Sequence, residues 1–266
     1  MGTQQSGLKM ADFSAFPNFG DWLIFNENED QRKLQNNRIS QIKEDSQGRI
    51  WLGTYSGLNR FEESTQQFLS HGDLVGDKLD INIINDLLIE GSQMYLATPI
   101  GLAAVIMEGE QLIFQDFYEK SRGMVNDFVC AIEQDQAGNL WLSTTTTVTK
   151  FNPKTKNFIN FDREDGILIN SFHTGSSFQG QSGEIYFGGS NGLVSFFPDQ
   201  IKEVFNVPEV VLTKLTVNNQ VLHVGDEVDG SVILETSIQN TSKINLDYSQ
   251  NHLSLNFAVN DFFWTG

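Results

Sequence analysis

The stretch "EDSQGRIWLGTYSGLNRF" (Glu44–Phe61) returns ninety residues later as "EQDQAGNLWLSTTTTVTKF" (Glu133–Phe151), with Asp45 and Asp135, Gly48 and Gly138, Trp51 and Trp141, and Phe61 and Phe151 in register. Midway between them the chain reads "MYLATPIGLAAV" from Met94, and a further half-interval on it reads "IYFGGSNGLVSFF" from Ile185. Trp51, Tyr95, Trp141 and Tyr186 stand 44, 46 and 45 residues apart. A Gly-Leu pair follows at Gly57, Gly101 and Gly192, with Thr147-Val148 in the third copy. An asparagine recurs at Asn37, Asn82, Asn126 and Asn170, each two residues before an apolar residue. Several markers keeping one spacing define an internal repeat of about 45 residues, which outranks other sequence signals.

A repeat of this length fits either helical hairpins or four-stranded propeller blades. Each copy carries short apolar runs ("RIWLGT", "MYLAT", "NLWLST", "EIYFGG") closed by Gly, Asn, Asp and Ser, and none holds the i, i+3, i+4 pattern of a long helix. Four strands of five or six residues with their turns consume roughly 45 residues. The runs are apolar on both faces, as a sheet covered on each side by a neighbour requires. The expected fold is all-β: a partial β-propeller followed by a truncated β-sandwich. In each unit Asp accepts turn amides, Gly supplies the positive φ of the hairpin, and Trp fills the gap between blades. The recurring asparagine is expected to cap the loop entering the innermost strand.

The period also sets the domain organisation. "GTQQSGL" (Gly2–Leu8) echoes "GTYSGL" (Gly53–Leu58), so the chain is expected to begin in mid-blade. Trp22 and Phe25 then anchor the outer half of that blade. The expected count is about four and a half four-stranded antiparallel blades: a half at about 2–33 and whole units at 37–70, 82–118, 126–163 and 170–206. The propeller fragment is assigned to 1–206. Residues 207–266 read as the first part of a sandwich, with "VNNQV" (Val217–Val221) as a hairpin turn and alternation at Ile244, Leu246, Tyr248 and at Leu253, Leu255, Phe257.

Formal charge is 17 − 34 = −17. Such a polyanion repels phosphate backbones and anionic membranes, so no nucleic-acid or membrane contact is expected. No apolar run is long enough to cross a bilayer, and "MGTQQSGLKM" lacks a cleavable signal's apolar stretch. The single cysteine, Cys130, cannot make an internal disulfide and reads as a small buried strand residue.

Blades of the form Asn-x-apolar, Asp-x-x-Gly-x-apolar-Trp-apolar-Gly-Thr, Gly-Leu resemble the two-component regulator propeller repeat. "FHTGSSFQGQSGEIYFGGSNGLVSFFPDQI" (Phe172–Ile201) resembles that family's last blade. "PEVVLTKLTVNNQ" followed by "INLDYSQNHLSLNFAVND" resembles the opening of the Y_Y_Y domain that follows it. The resemblance implies the periplasmic input region of a bacterial transmembrane receptor, whose output is a histidine kinase, a hybrid kinase or a diguanylate cyclase. By the same analogy the expected partner is a small polar ligand, with an oligosaccharide as one class.

Motifs of chemistry are sparse. His71, His173, His223 and His252 are scattered without metal-ligand spacing, and "FGGSNGL" lacks the Lys and helix of a phosphate loop. No Gly-x-Ser-x-Gly elbow occurs. The paired acids Glu29-Asp30, Glu44-Asp45 and Glu62-Glu63 sit beside turns and read as solvated loop charge. No catalytic residue, cofactor or metal is expected. The candidate ligand-binding residues are those of one propeller rim, in the turns before Gly-Leu: Tyr55, Ser56, Thr98, Thr145, Thr146, Ser190 and Asn191. The blade-to-blade loops "HGDLVGDKLDIN" and "YEKSRGMVN" should share that rim. Hydroxyls, amides and an aromatic ring suit sugar recognition. Two other readings stay open: a scaffold for protein partners, including self-association through unpaired strand edges, and a propeller polysaccharide lyase or glycosidase.

Overall fold

Asp45 closes the turn after its strand by accepting the backbone N–H groups of Gln47 (2.9 Å) and Arg49 (3.0 Å). Asp135 does the same for Ala137 (3.0 Å) and Asn139 (2.8 Å). Gly48 (φ 79°) and Gly138 (φ 83°) take the left-handed conformation these turns demand, which a side chain would oppose. The other oxygen of each carboxylate accepts the indole N–H of Trp51 or Trp141, at 2.9 Å in both cases. A buried indole needs such a partner. The other two copies have no Asp at this point, and their aromatic is Tyr95 or Tyr186.

A computed structural model describes residues 6–11, 22–28, 33–71, 82–201 and 209–260. Packing divides the chain into two units, Met1–Ile201 and Lys202–Gly266. The expected boundary after residue 206 lies outside the described residues, as do residues 2–5 and nearly all of the loop from His71 to Asn82.

The first unit is a series of antiparallel sheets. A two-stranded sheet pairs β1 (Leu8–Met10) with β2 (Leu23–Phe25) and forms the expected half blade. Three four-stranded meanders follow: β3 (Ile39–Glu44), β4 (Ile50–Thr54), β5 (Gly57–Glu62) and β6 (Gln67–Ser70); β7 (Asp86–Glu90), β8 (Gln93–Thr98), β9 (Gly101–Glu108) and β10 (Gln111–Tyr118); β11 (Ala131–Gln134), β12 (Leu140–Ser143), β13 (Val148–Asn152) and β14 (Asn157–Phe161). The last blade shows three strands among the described residues, β15 (Phe172–Gln179), β16 (Ile185–Gly189) and β17 (Gly192–Phe196), and the end of the expected unit, 202–206, lies outside them. Pro198 opens a 3-10 turn directly after it and offers no N–H for further pairing.

The first three aromatic wedges each pack onto the following sheet. Trp51 lies among Ile84, Leu87, Met94 and Leu96. Tyr95 lies among Val129, Ile132, Leu140 and Phe151. Trp141 lies among Phe172, Ile185 and Phe187, with the Phe196 ring 4.6 Å away. Backbone bonds sew the same joints: Ile84 N–H to Thr54 O and Val129 N–H to Thr98 O, each 3.0 Å. Of the two anchors expected in the half blade, Phe25 is buried against Leu8, Leu34 and Leu52, and Trp22 is 40% exposed.

In the second unit, β18 (Glu209–Val217) pairs with β19 (Gln220–Leu222) and β22 (Leu253–Asn260), and β20 (Glu227–Val228) pairs with β21 (Ser231–Val232). The β18–β19 turn places Asn218 (φ 47°) and Asn219 (φ 66°) in the left-handed region, the two-residue hairpin that "VNNQV" predicts. The expected strand through Ile244, Leu246 and Tyr248 does not form; Tyr248 is 95% exposed and only Ile244 packs on the Leu215–Val217 core. Alternation there is not matched by a pairing partner, and an unpaired strand is not stable alone.

Candidate functional site: the rim of the propeller

The turns β4–β5, β8–β9, β12–β13 and β16–β17 share one rim with the loops leading into each innermost strand, because hydrogen bonds tie them together. Tyr55 N–H reaches Arg38 O (3.2 Å), and Ser190 N–H reaches Ser171 O (2.9 Å). Three of the candidate residues serve this joint through their side chains. Ser56 Oγ accepts from Asn36 Nδ2 at 3.0 Å, while Asn36 Oδ1 accepts from Arg38 N–H at 2.8 Å. Thr145 Oγ1 accepts from Asn126 Nδ2, and Asn126 Oδ1 accepts from Phe128 N–H at 2.9 Å. Asn191 Oδ1 accepts from Asn170 N–H, and its Nδ2 donates to Leu168 O, both at 2.8 Å. The expected asparagine cap is therefore real in the third blade. In the first blade it is carried by Asn36, one residue before Asn37, whose own Oδ1 accepts from Glu27 N–H.

Thr98 is fully buried at the end of β8, where its Oγ1 donates to Gly101 O at 2.7 Å. Thr54 makes the same bond to Gly57 O at 2.8 Å. Thr98 thus closes the turn beneath the rim rather than standing on it. The other three candidates are half-buried Tyr55 and exposed Thr146 and Ser190. Tyr55 carries the Arg38 guanidinium on one ring face, 3.9 Å from the centroid. Thr146 and Ser190 are at turn tips, and both are exposed.

Thr146 lines a rim cleft of about 760 Å³ with Asp162, Arg163, Glu164, Ile167, Leu168, Ile169 and Asn170. The loop from β14 to β15 that builds it is self-locked: Asp162 Oδ1 accepts from Glu164 N–H (2.8 Å), and Asp165 Oδ2 accepts from Asp162 N–H (3.0 Å). Leu168 stands 65% exposed at its edge. Among the described residues Arg163 has no ion pair. The cleft offers a cation, carboxylates, a hydroxyl and an apolar patch, an arrangement suited to a small amphipathic ligand. Arg163 and Leu168 were not among the expected site residues. The signal for them was the charge run "DREDG", which interrupts the repeat at Asp162–Gly166.

Near the axis, Asp86 is fully buried and joins three blades, accepting from Gln41 Nε2 (2.9 Å), Ile132 N–H (2.9 Å) and Leu87 N–H (2.8 Å). Burial pushes its carboxyl up, and these donors with the Lys43 charge only partly offset that. Burial likewise raises Glu133, against a hydrogen bond from Ser177 and the Lys43 charge. Asp86 is an architectural staple out of solvent's reach. Cys130 is buried, and burial alone pushes its thiol up to about 12. Among the described residues no group of three or more His, Cys, Asp or Glu is placed to hold a metal, and no helix is long and apolar enough to cross a membrane.

An arc of meander sheets joined by aromatic wedges, with Asp-locked turns below and asparagine-locked turns above, defines a β-propeller built from one repeated phrase. The chain carries two-component regulator propeller repeats: the family model of that description matches residues 33–56 and 123–146. Each match runs from the approach to the innermost strand, through the Asp turn and the Trp strand, to the rim turn. The chain is 31% identical over 237 residues to Histidine kinase P4 of Formosa agariphila, covering 86% of this chain and 17% of that protein. Among solved structures it is similar to the extracellular domain assigned to the hybrid two-component system BT3049 of B. thetaiotaomicron, with 27% identity, a TM-score of 0.64, and coverage of 96% of this chain and 33% of that one. A second such domain, BT4673 of the same organism, matches at 18% identity and a TM-score of 0.65, covering 97% of this chain and 45% of that one, and supports the fold. The chain spans well under two thirds of each of these relatives.

Proposed function

We propose that this chain is the ligand-sensing input module of a bacterial transmembrane signalling receptor, placed on the periplasmic side. It takes a small polar ligand at its rim, with carbohydrate fragments as the first class to test. Occupancy is relayed to an output domain carried elsewhere in the receptor, a histidine kinase or a diguanylate cyclase. The observation that carries this reading is the 31% identity to a histidine kinase over 86% of the chain. Recognition rather than catalysis suits the side chains: Asp45 and Asp135 are saturated with donors, Asp86 is buried, and the rim presents hydroxyls, Tyr55 and Arg163.

The test is a thermal-shift screen with an oligosaccharide library. Ligand at a hundredfold excess over its Kd stabilises by about 2.7 kcal/mol, a shift of roughly 5–10 °C for a unit of this size. Saturable stabilisation without turnover supports the sensor. Release of shortened or unsaturated sugars would instead support a lyase or glycosidase.

A scaffold role, including self-association, is a second reading, and one observation favours it. The face of the last blade bearing Tyr186 leaves Phe178 64% and Leu193 63% exposed, while the equivalent Leu58, Leu102 and Val148 are buried by the next sheet. Concentration-dependent association unaffected by any sugar would support it over sensing.

A further inference from the structure

We infer that Asn191–Gly192 is a site of spontaneous covalent modification, a deamidation that unlocks the rim loop of the last blade. This rests on local chemistry and not on the sensor reading. Asn191 is the one asparagine in the chain followed by glycine, and both residues are exposed at the tip of the β16–β17 turn. A Cβ at Gly192 would meet nothing within 4 Å, so no neighbouring group crowds the turn tip around its Cα. Asn191 Oδ1 accepts the Asn170 N–H at 2.8 Å, which draws electron density from the amide carbon as a donor does at any carbonyl under attack.

The step balances with water as the only co-reactant. Gly192 N loses its proton and attacks Asn191 Cγ; the N–Cγ bond forms, the Cγ–Nδ2 bond breaks, and ammonia leaves with the proton. Water then opens the five-membered imide at either carbonyl, giving an aspartate in normal linkage at this position or the iso-linked form with its backbone carried through the side chain. Neither product keeps the Nδ2–H donor that now holds Leu168 O at 2.8 Å. A carboxylate facing that carbonyl oxygen is repelled, and the iso-linked backbone no longer fits the two-residue turn between Gly189 and Gly192. The segment 168–170, which lines the rim cleft, is thereby released.

The experiment is incubation of the full chain at mildly alkaline pH with peptide mapping by mass spectrometry. Amide-to-acid conversion is expected at Asn191 ahead of every other asparagine, with iso-linked product detectable by enzymatic isoaspartyl methylation. Hydrogen exchange at residues 168–170 should lose protection in the converted species and equally in N191D. N191Q, whose longer side chain cyclises far more slowly, should stay unconverted. Conversion first at another asparagine, or none at Asn191 while the urea-unfolded chain converts there, would overturn the site. Unchanged protection at 168–170 in N191D would overturn the release.

Discussion

The bond between a turn carboxylate and a wedge indole can be measured through Asp45 and Trp51, both buried. Asp45 Oδ2 accepts from Trp51 Nε1 at 2.9 Å and from Arg49 Nε at 2.6 Å, while Oδ1 closes the turn. D45N keeps one acceptor for the turn amides. Its new amide group, whichever way it is turned, aims donors at donors already present. The buried indole N–H is then left unsatisfied at about 1–3 kcal/mol. The partly exposed Arg49 pair adds a further ~0.2–1 kcal/mol. Urea unfolding followed by far-UV dichroism should therefore show D45N destabilised by about 1–4 kcal/mol. The decisive measurement is the double-mutant cycle with W51F, which removes the indole donor. D45N should cost about 1–2 kcal/mol less in that background. Additivity within about 0.5 kcal/mol would mean the two side chains do not depend on each other. Asp45 would then not be the partner on which the Trp51 indole depends.

Three further outcomes follow from the same packing. W141A should cost about 3–5 kcal/mol, because the ring fills the joint between the third and fourth blades against Phe187 and Phe196; near-unchanged stability would remove it from that joint. Burial pushes the Asp116 carboxyl up, but hydrogen bonds from Lys156 (2.6 Å), Arg122 and the Phe117 N–H outweigh it and bring it down to about 2 from 3.8. A carboxyl lowered on folding stabilises above its unfolded value, and that contribution is lost as pH falls from about 4 towards 2. Acid titration of stability should show a loss of about 1–2 kcal/mol in that window, discounted for the half-exposed cations, and D116N should flatten it. Cys130, with its thiol raised to about 12 and buried, should resist alkylation in the folded chain and react only after urea unfolding.

The repeat made the fold legible because every blade solves the same packing problem with the same residue types. Trp51, Tyr95 and Trp141 could be placed between sheets from their spacing alone, and the Asp–turn amide bonds from the Asp-x-x-Gly pattern. The indole bond also leaves a signature in the sequence. Asp45 and Asp135 precede the two tryptophans, whereas Gly91-Ser92 and Gly180 stand before the two tyrosines. Spacing also cannot resolve neighbours: "NN" at 36–37 offers two candidates for one cap, and the turn selects Asn36. Asp86 was invisible because its strand-equivalent positions hold Gln41 and Ala131, so it belongs to no pattern. Where the repeat ends, alternation alone no longer fixes a strand: the Ile244–Tyr248 segment depends on a pairing partner, which alternation does not supply.

Residues that recur with the period are those the architecture must repeat, so at a rim they are mostly structural. Ser56, Thr145 and Asn191 recur as rim hydroxyls and amides because each holds the loop leading into its own blade. Groups left for a ligand should be those the period does not explain, such as Thr146, Arg163 and Leu168 around the rim cleft. Neighbouring threonines separate the two roles. T145A loses the bond from Asn126 and should cost about 0.5–1.5 kcal/mol with ligand affinity nearly unchanged once folded. T146A, at an exposed tip, should stay within about 0.5 kcal/mol of the parent stability. Its effect should instead appear in the ligand-induced thermal shift, and more strongly still in R163A. If T145A weakened binding while T146A and R163A left it intact, the recurring side chains would be the recognition surface after all, and the cleft beside them would be incidental.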